Sequence, residues 1–168
     1  AVASGHAAQF IVFHTLMENG DEFVAANKLY GGSMNQFSHA FAKMGWHVKW
    51  AEATEPESFA RAITPKTKAI FIESLANPGG VVMDIAAIAK IANDANIPLI
   101  VDNTLATPYL CRPLEHGADI VVHSATKFLG GHGNSIAGLI IDGGKFNWSN
   151  GKYPSLSEPS PSYHGMKL

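Results

Sequence analysis

The sequence predicts an α/β protein of three layers, a mostly parallel sheet with helices on both faces, and three observations carry that reading. Strand-like and helix-like stretches alternate along most of the 168 residues, as a sheet built from strand-helix-strand crossovers requires. Two strand-like stretches, Leu99-Ile100-Val101 and Ile120-Val121-Val122, are apolar without alternation, as strands covered on both faces must be. Each runs straight into a polar cluster, Asp102-Asn103-Thr104 or Ser124-Ala125-Thr126-Lys127, and the carboxyl ends of strands are where open α/β sheets hold ligands.

Taken in order, Ser4 is placed to cap a helix through Ala7, Ala8, Phe10, Ile11, Phe13, His14 and Leu16, closed by Gly20. The run is apolar nearly all round, so a buried helix is expected. Its N–H groups at Ser4-Gly5-His6 suit an anion, or are simply a capped start. Asp21 to Ala26 reads as a strand leading to Leu29-Tyr30-Gly31-Gly32-Ser33, where Tyr30 is either a core residue or a platform for a flat ligand. Met34 to Met44 reads as a helix ended by Gly45, and His47 to Ala51 alternates like a strand. Thr54 and Glu57 have the spacing of a capping box for a helix over Ser58 to Ile63, which Pro65 stops.

Lys68 to Glu73 is the next strand, leaving through Ser74-Leu75-Ala76-Asn77-Pro78-Gly79-Gly80; Asn77 there is turn punctuation or a free amide at the strand's exit. Asp84 caps a helix with Ile85, Ile88, Ala89, Ile91, Ala92 and Ala95 on its apolar stripe. Pro98 to Val101 and Ile120 to Val122 follow as buried strands, and Ile136 to Asp142 is the last strand. From Gly143 the composition shifts to Gly, Ser, Pro and Asn, so residues 1–142 are expected to form the core and 143–168 a surface excursion.

Composition removes several classes. A content of 46% hydrophobic and 15% charged residues suits an ordinary globular domain, neither disordered nor fibrous. The net charge of −2, without a Lys/Arg cluster, provides no footprint for nucleic acid or an anionic membrane. No apolar run is long enough to span a bilayer and the first residues carry no secretory pattern, so a cytoplasmic address is expected. Cys111 stands alone without an activating neighbourhood and reads as packing, and the eight histidines show no metal-ligand spacing, so no metal is expected.

The chemistry-bearing residues converge by topology, because in a parallel sheet the strand ends at Asn77, Asp102 and Ser124 to Lys127 share one edge. Lys127 beside Ser124 and Thr126 is either a surface lysine or an amine for a phosphorylated aldehyde, with the hydroxyls on the phosphate. Asp102, directly after an apolar strand, needs a metal, a cation or a protonated ring nitrogen, since a lone buried carboxylate is expensive. A lysine, a carboxylate, an aromatic face and N–H and hydroxyl donors together answer what pyridoxal 5'-phosphate requires. Neither a nucleotide loop nor a dinucleotide glycine fingerprint is present.

Ser4-Gly5-His6-Ala7-Ala8-Gln9, Tyr30-Gly31-Gly32-Ser33, Glu73-Ser74-Leu75-Ala76-Asn77-Pro78, Val101-Asp102-Asn103-Thr104 and Ser124-Ala125-Thr126-Lys127 resemble, in this order, the motifs of the Cys/Met-metabolism family of pyridoxal-phosphate enzymes. The closing Gly151-Lys152-Tyr153-Pro154 and Glu158 to Gly165 resemble its O-acetylhomoserine sulfhydrylase branch. The resemblance implies the large cofactor domain of the aspartate-aminotransferase fold. In it Lys127 holds the cofactor as a Schiff base and shuttles protons, Asp102 pairs with the ring nitrogen beside Thr104, and Tyr30 stacks on the ring and helps to free the lysine. The backbone of Gly5 and His6 and the hydroxyls of Ser124 and Thr126 take the phosphate, and Asn77 lies near the ring hydroxyl or the substrate carboxylate. Family members commonly carry methionine or glutamine where His6 stands, a change that a backbone contact survives.

The implied reaction is γ-replacement, O-acetylhomoserine and sulfide or a thiol giving homocysteine and acetate, with cystathionine γ-synthase and γ-lyase chemistry as rivals. A non-catalytic α/β module is the reading from another class. The family also implies homodimers or homotetramers with shared active sites. Its N-terminal arm and C-terminal domain, which supply phosphate and carboxylate ligands, are missing from these residues, so the chain is expected to be a piece of a longer protein and feeble by itself.

Overall fold

The computed structural model describes residues 1–167. Strands β1 (Glu22–Ala26), β2 (His47–Ala51), β3 (Thr67–Glu73), β4 (Leu99–Asp102) and β5 (Ile120–Ser124) run parallel, and β6 (Gly138–Asp142) returns antiparallel beside β5. Their order across the sheet is β2-β1-β3-β4-β5-β6. The chain steps one way from β1 to β2 and the other way from β2 to β3 to β4. Right-handed crossovers therefore put the first connection on one face and the later ones on the opposite face. Helix α1 (Gly5–Leu16) and the run beginning at α2 (Gly31–Asn35) cover the first face, while α3 (Pro56–Ala62) and α4 (Ile85–Asp94) cover the second. The reversal of strand order lies between β1 and β3, where neighbouring loops diverge and leave a crevice.

The first face is filled by aromatics. Phe13 meets Phe23 with ring centroids 4.3 Å apart, and Phe37 stands edge-on to Phe71 at 5.0 Å. All four are fully buried, each worth about 1.5–3 kcal/mol of transfer free energy. Register then places the polar groups. Glu73 is paired with Asp102 and Asp102 with Val122, so both carboxylates project from the same face as Phe71, one layer beyond the aromatic core.

Several sequence expectations are corrected. Only one side of α1 is buried, because the sheet covers one stripe; Ile11 remains 41% exposed, and the helix ends at Leu16 with Met17 in extended backbone, before Gly20. The second helical run starts at Gly31, not Met34, passes through a π turn (Gln36–Ala40) and a 3-10 turn (Phe41–Met44), and ends at Gly45 with φ of 75°. No capping box forms at Thr54, whose hydroxyl donates to Glu52 at 3.2 Å; α3 starts instead on Pro56, whose fixed φ suits a first helical position. Between β4 and β5 lies a short α5 (Thr107–Leu110).

Within 143–157, aromatic residues pin the chain to the sheet. Phe146, Trp148 and Tyr153 cluster with centroids 4.6–5.7 Å apart, and Tyr153, 1% exposed, donates its hydroxyl to the Lys68 carbonyl at 2.7 Å. A short α6 (Pro154–Ser157) follows. Among the described residues, no helix is long and apolar enough to cross a membrane.

Candidate active site

A cavity of about 640 Å³ opens at the carboxyl edge of the parallel strands. Lys127, Asp102, Tyr30 and Asn77 border it, as do Gly5, His6, Thr104, Ser124 and Thr126. The topology thus gathers every residue singled out in the sequence around one space, from α1 and the exits of β1, β3, β4 and β5.

Asp102 lies at its floor, 8% exposed. Its Oδ1 accepts from the backbone N–H of Thr104 at 3.0 Å and from the Thr104 hydroxyl, and its Oδ2 accepts from Gln9 Nε2 at 3.2 Å. Burial pushes this carboxyl above its ordinary value, against the pull of those bonds. The Thr104 hydroxyl also accepts the Ser124 N–H at 2.8 Å, which ties the ends of β4 and β5 together.

At the other end of the cavity, α1 presents the N–H groups of Gly5 and His6, which have no intrahelical acceptor; Ser4 caps Ala7 at 3.0 Å. Gly5 is required here: a Cβ at that position would lie 2.7 Å from the Ser124 Cβ. Thr126 borders the same space, yet its hydroxyl donates to the Ala137 carbonyl at 3.2 Å and accepts the Ala137 N–H at 3.1 Å. The sequence suggested two equivalent hydroxyls, but the structure engages one of them with β6's approach. Lys127 is exposed at the rim and forms no ion pair among the described residues.

Tyr30 stands half exposed with its ring tilted 30° to that of His6, centroids 5.9 Å apart. A Cβ on Gly32 would strike both rings at 2.5 and 2.7 Å, so the second glycine of Tyr-Gly-Gly is what lets this wall form.

Three polar cavity residues were given no role from the sequence. Gln9, 3% exposed, donates to both Ser33 Oγ (2.9 Å) and Asp102, while its own Oε1 is buried without a partner. Ser33 is buried behind Tyr30. Glu73, 6% exposed, accepts the Tyr30 N–H at 2.7 Å on one oxygen and the Asn77 N–H at 3.0 Å on the other. Burial raises the Glu73 carboxyl to about 7, against the pull of those two N–H bonds and with some help from Asp102. The available signals were polar residues inside apolar runs: Gln9 on the sheet-facing stripe of α1, and Glu73 ending an apolar strand just as Asp102 does.

Residues 1–157 match the profile of the Cys/Met metabolism PLP-dependent enzymes. The chain belongs to this family. Curated relatives agree: O-acetyl-L-homoserine sulfhydrylase from Leptospira meyeri is 51% identical over 168 residues, and O-acetyl-L-homoserine sulfhydrylase 1 from Thermus thermophilus is 47% identical over 170. Both alignments include 100% of this chain but only 38% and 40% of the relatives, so the chain spans about two-fifths of their length. A Campylobacter jejuni structure described as an O-acetylhomoserine (thiol)-lyase, carrying N'-pyridoxyl-lysine-5'-monophosphate, superposes with a TM-score of 0.96 at 39% identity over 99% of this chain and 42% of its own. Cystathionine gamma-lyase from Lactobacillus plantarum superposes at 0.81 over 84% of this chain and 37% of its own, with 40% identity.

The donor set of the cavity suits the family's cofactor. A buried carboxylate in no ion pair among the described residues, a helix N-terminus beside the Ser124 hydroxyl, an aromatic wall and an amine likewise outside any ion pair are the partners a pyridinium, a phosphate, a flat ring and an aldehyde call for.

Proposed function

We propose that the full-length protein catalyses γ-replacement on O-acetylhomoserine, taking up sulfide or a thiol and releasing acetate, with homocysteine as the product when sulfide is the nucleophile. The observation that carries this is that Lys127 and Asp102 border one cavity in a chain half identical, along its whole length, to an O-acetyl-L-homoserine sulfhydrylase. The 99% coverage by the Campylobacter structure, against 84% for the cystathionine gamma-lyase, favours this branch over its rivals.

Pyridoxal phosphate, when bound, supplies an aldehyde that captures an amine and a cationic ring that accepts electrons. The rest belongs to this chain. Lys127 Nζ would hold the cofactor through its aldehyde and, once free, would move protons at the substrate's α and β positions. Asp102, whose charged form Thr104 and Gln9 favour against the cost of burial, would pair with a protonated ring nitrogen. Tyr30 covers the ring, and Asn77 presents its amide to the ring hydroxyl or the substrate carboxylate. Gly5 and His6 take the phosphate through backbone N–H groups with Ser124, and Thr126 contributes once its hydroxyl turns from Ala137. Thr104 orients Asp102. Residues 1–142 act as the cofactor-binding core; a homodimer or homotetramer with shared sites in the cytoplasm is the state we assign.

Incubating the full-length protein with O-acetylhomoserine and sulfide is expected to yield stoichiometric homocysteine and acetate. Absence of homocysteine there, together with ketoacid and ammonia from methionine alone, would replace this assignment with a lyase.

A further inference from the structure

We propose that Glu73 is a positioning residue that fastens the two walls of the cofactor site, Tyr30 and Asn77, across the crevice where the strand order reverses. The inference rests on the cofactor reading above and names a part of the site for which no role has been assigned.

The topology creates the need. The loop after β1 turns toward β2 and the loop after β3 turns toward β4, so nothing in the sheet's own hydrogen bonding holds them at a fixed separation. Tyr30 closes one loop at the N-cap of α2 and Asn77 lies in the other, both exposed. Glu73 is the last residue of β3, directly beneath the gap, and its two carboxylate oxygens each receive one backbone N–H, from Tyr30 at 2.7 Å and from Asn77 at 3.0 Å. One rigid planar group thus sets the distance between the two loops.

The chain accepts an unfavourable charge to do this. Glu73 is almost fully buried and lies beside Asp102 in register on the same face, and among the described residues no cation forms an ion pair with it. A neutral side chain would fill the space without that repulsion. Only an ionised carboxylate offers two acceptors at once, because a glutamine has one acceptor and would turn a donor toward the other N–H. Bonds to a charged acceptor are the stronger kind, so the clamp is stiff above about pH 7, where Glu73 is ionised.

The test is amide hydrogen exchange by NMR on the full-length protein, paired with titration of pyridoxal phosphate followed by absorbance. In the wild type, the Tyr30 and Asn77 amides are expected to exchange at least about tenfold slower than the unbonded loop amide of Gly79, as a charge-assisted bond implies. Exchange of either at the loop rate would overturn the clamp without any variant. In Glu73→Gln, one or both amides should speed up, the cofactor dissociation constant should rise about tenfold or more, and the visible circular dichroism of the bound cofactor should weaken. Tyr153→Phe, remote from the site, serves as the control for lost stability and should change none of these. Unaltered exchange in Glu73→Gln would overturn the proposal, and so would faster exchange with unaltered affinity and dichroism. Failure of the wild type to take up the cofactor while both amides stay protected would instead remove the functional reading.

Discussion

At the amino-terminal edge of the sheet, Lys68 reaches the Lys152 carbonyl at 2.8 Å and Asp21 at 3.8 Å, Lys152 reaches the Ala95 carbonyl at 2.8 Å, and Asp119 receives the Leu99 N–H at 2.8 Å. The Tyr153 hydroxyl closes the group on the Lys68 carbonyl. At the carboxyl edge, Glu73 and Asp102 stand side by side with like charge, Gln9 Oε1 and His123 Nδ1 are buried without partners, and Lys127 forms no ion pair among the described residues. The same sheet therefore has one edge whose polar groups satisfy each other and one whose polar groups are incomplete. Groups selected for stability find their partners inside the chain, whereas groups selected for binding keep their capacity for a ligand. The two edges should respond to mutation in opposite ways.

The largest effect is expected at Lys127. Lys127→Ala should abolish covalent retention of the cofactor after borohydride reduction, read as loss of the mass increment on that peptide, and should lower turnover by at least about a hundredfold. Its thermal midpoint should stay close to wild type, because the side chain is exposed and unpaired. A midpoint lowered by many degrees would mean that this edge, too, is built for stability.

Glu73 distinguishes the edges through pH. Burial pushes its carboxyl up to about 7 in the fold, against an ordinary value of 4.5 when unfolded. Between those values the folded state binds the extra proton, so Glu73's contribution is most favourable below 4.5 and is lost as pH rises through about 7. The loss is about 3.5 kcal/mol at most, from ~1.4 kcal/mol per pH unit. Denaturant midpoints of Glu73→Gln measured from pH 4 to 8 should show a correspondingly flatter decline than wild type. A parallel decline would show that the charge costs nothing.

On the closed edge, Tyr153→Phe removes one buried hydrogen bond and leaves the Lys68 carbonyl short of a partner. A loss of about 1–2 kcal/mol in unfolding free energy is expected, with cofactor affinity unchanged. Altered affinity would blur the division between the edges.

Much of this division was legible in the sequence, and the parts that were not share a cause. Apolar runs locate buried strands, and the residue after each run must stand at an edge, so Asp102, Ser124 and Lys127 could be placed together from spacing alone. Hydrophobic periodicity encodes burial but not partner identity. The Thr126 hydroxyl turns to Ala137 because β6 arrives beside it, and Tyr153 anchors the closing segment by reaching a strand 85 residues earlier. Glu73 looked like the end of a strand because its two partners lie 43 residues before it and 4 after it.

Gln9 makes the smallest and sharpest test. It sits 93 residues from Asp102 in sequence, on a helix whose other inward residues are small or apolar, and its amide has one satisfied end and one orphaned end. Flipping the amide would point Oε1 at a carboxylate, so Nε2 must face Asp102. That donor stabilises the ionised form of Asp102, while the orphaned carbonyl penalises the fold. Gln9→Leu removes both effects. Cofactor affinity should fall by a few fold, about 0.5–1 kcal/mol, as Asp102 loses a bond that favours its charge. Unfolding free energy should stay level or rise. Affinity and stability moving down together would place Gln9 with the self-satisfied edge, because a residue kept for folding cannot be removed without loss to the fold.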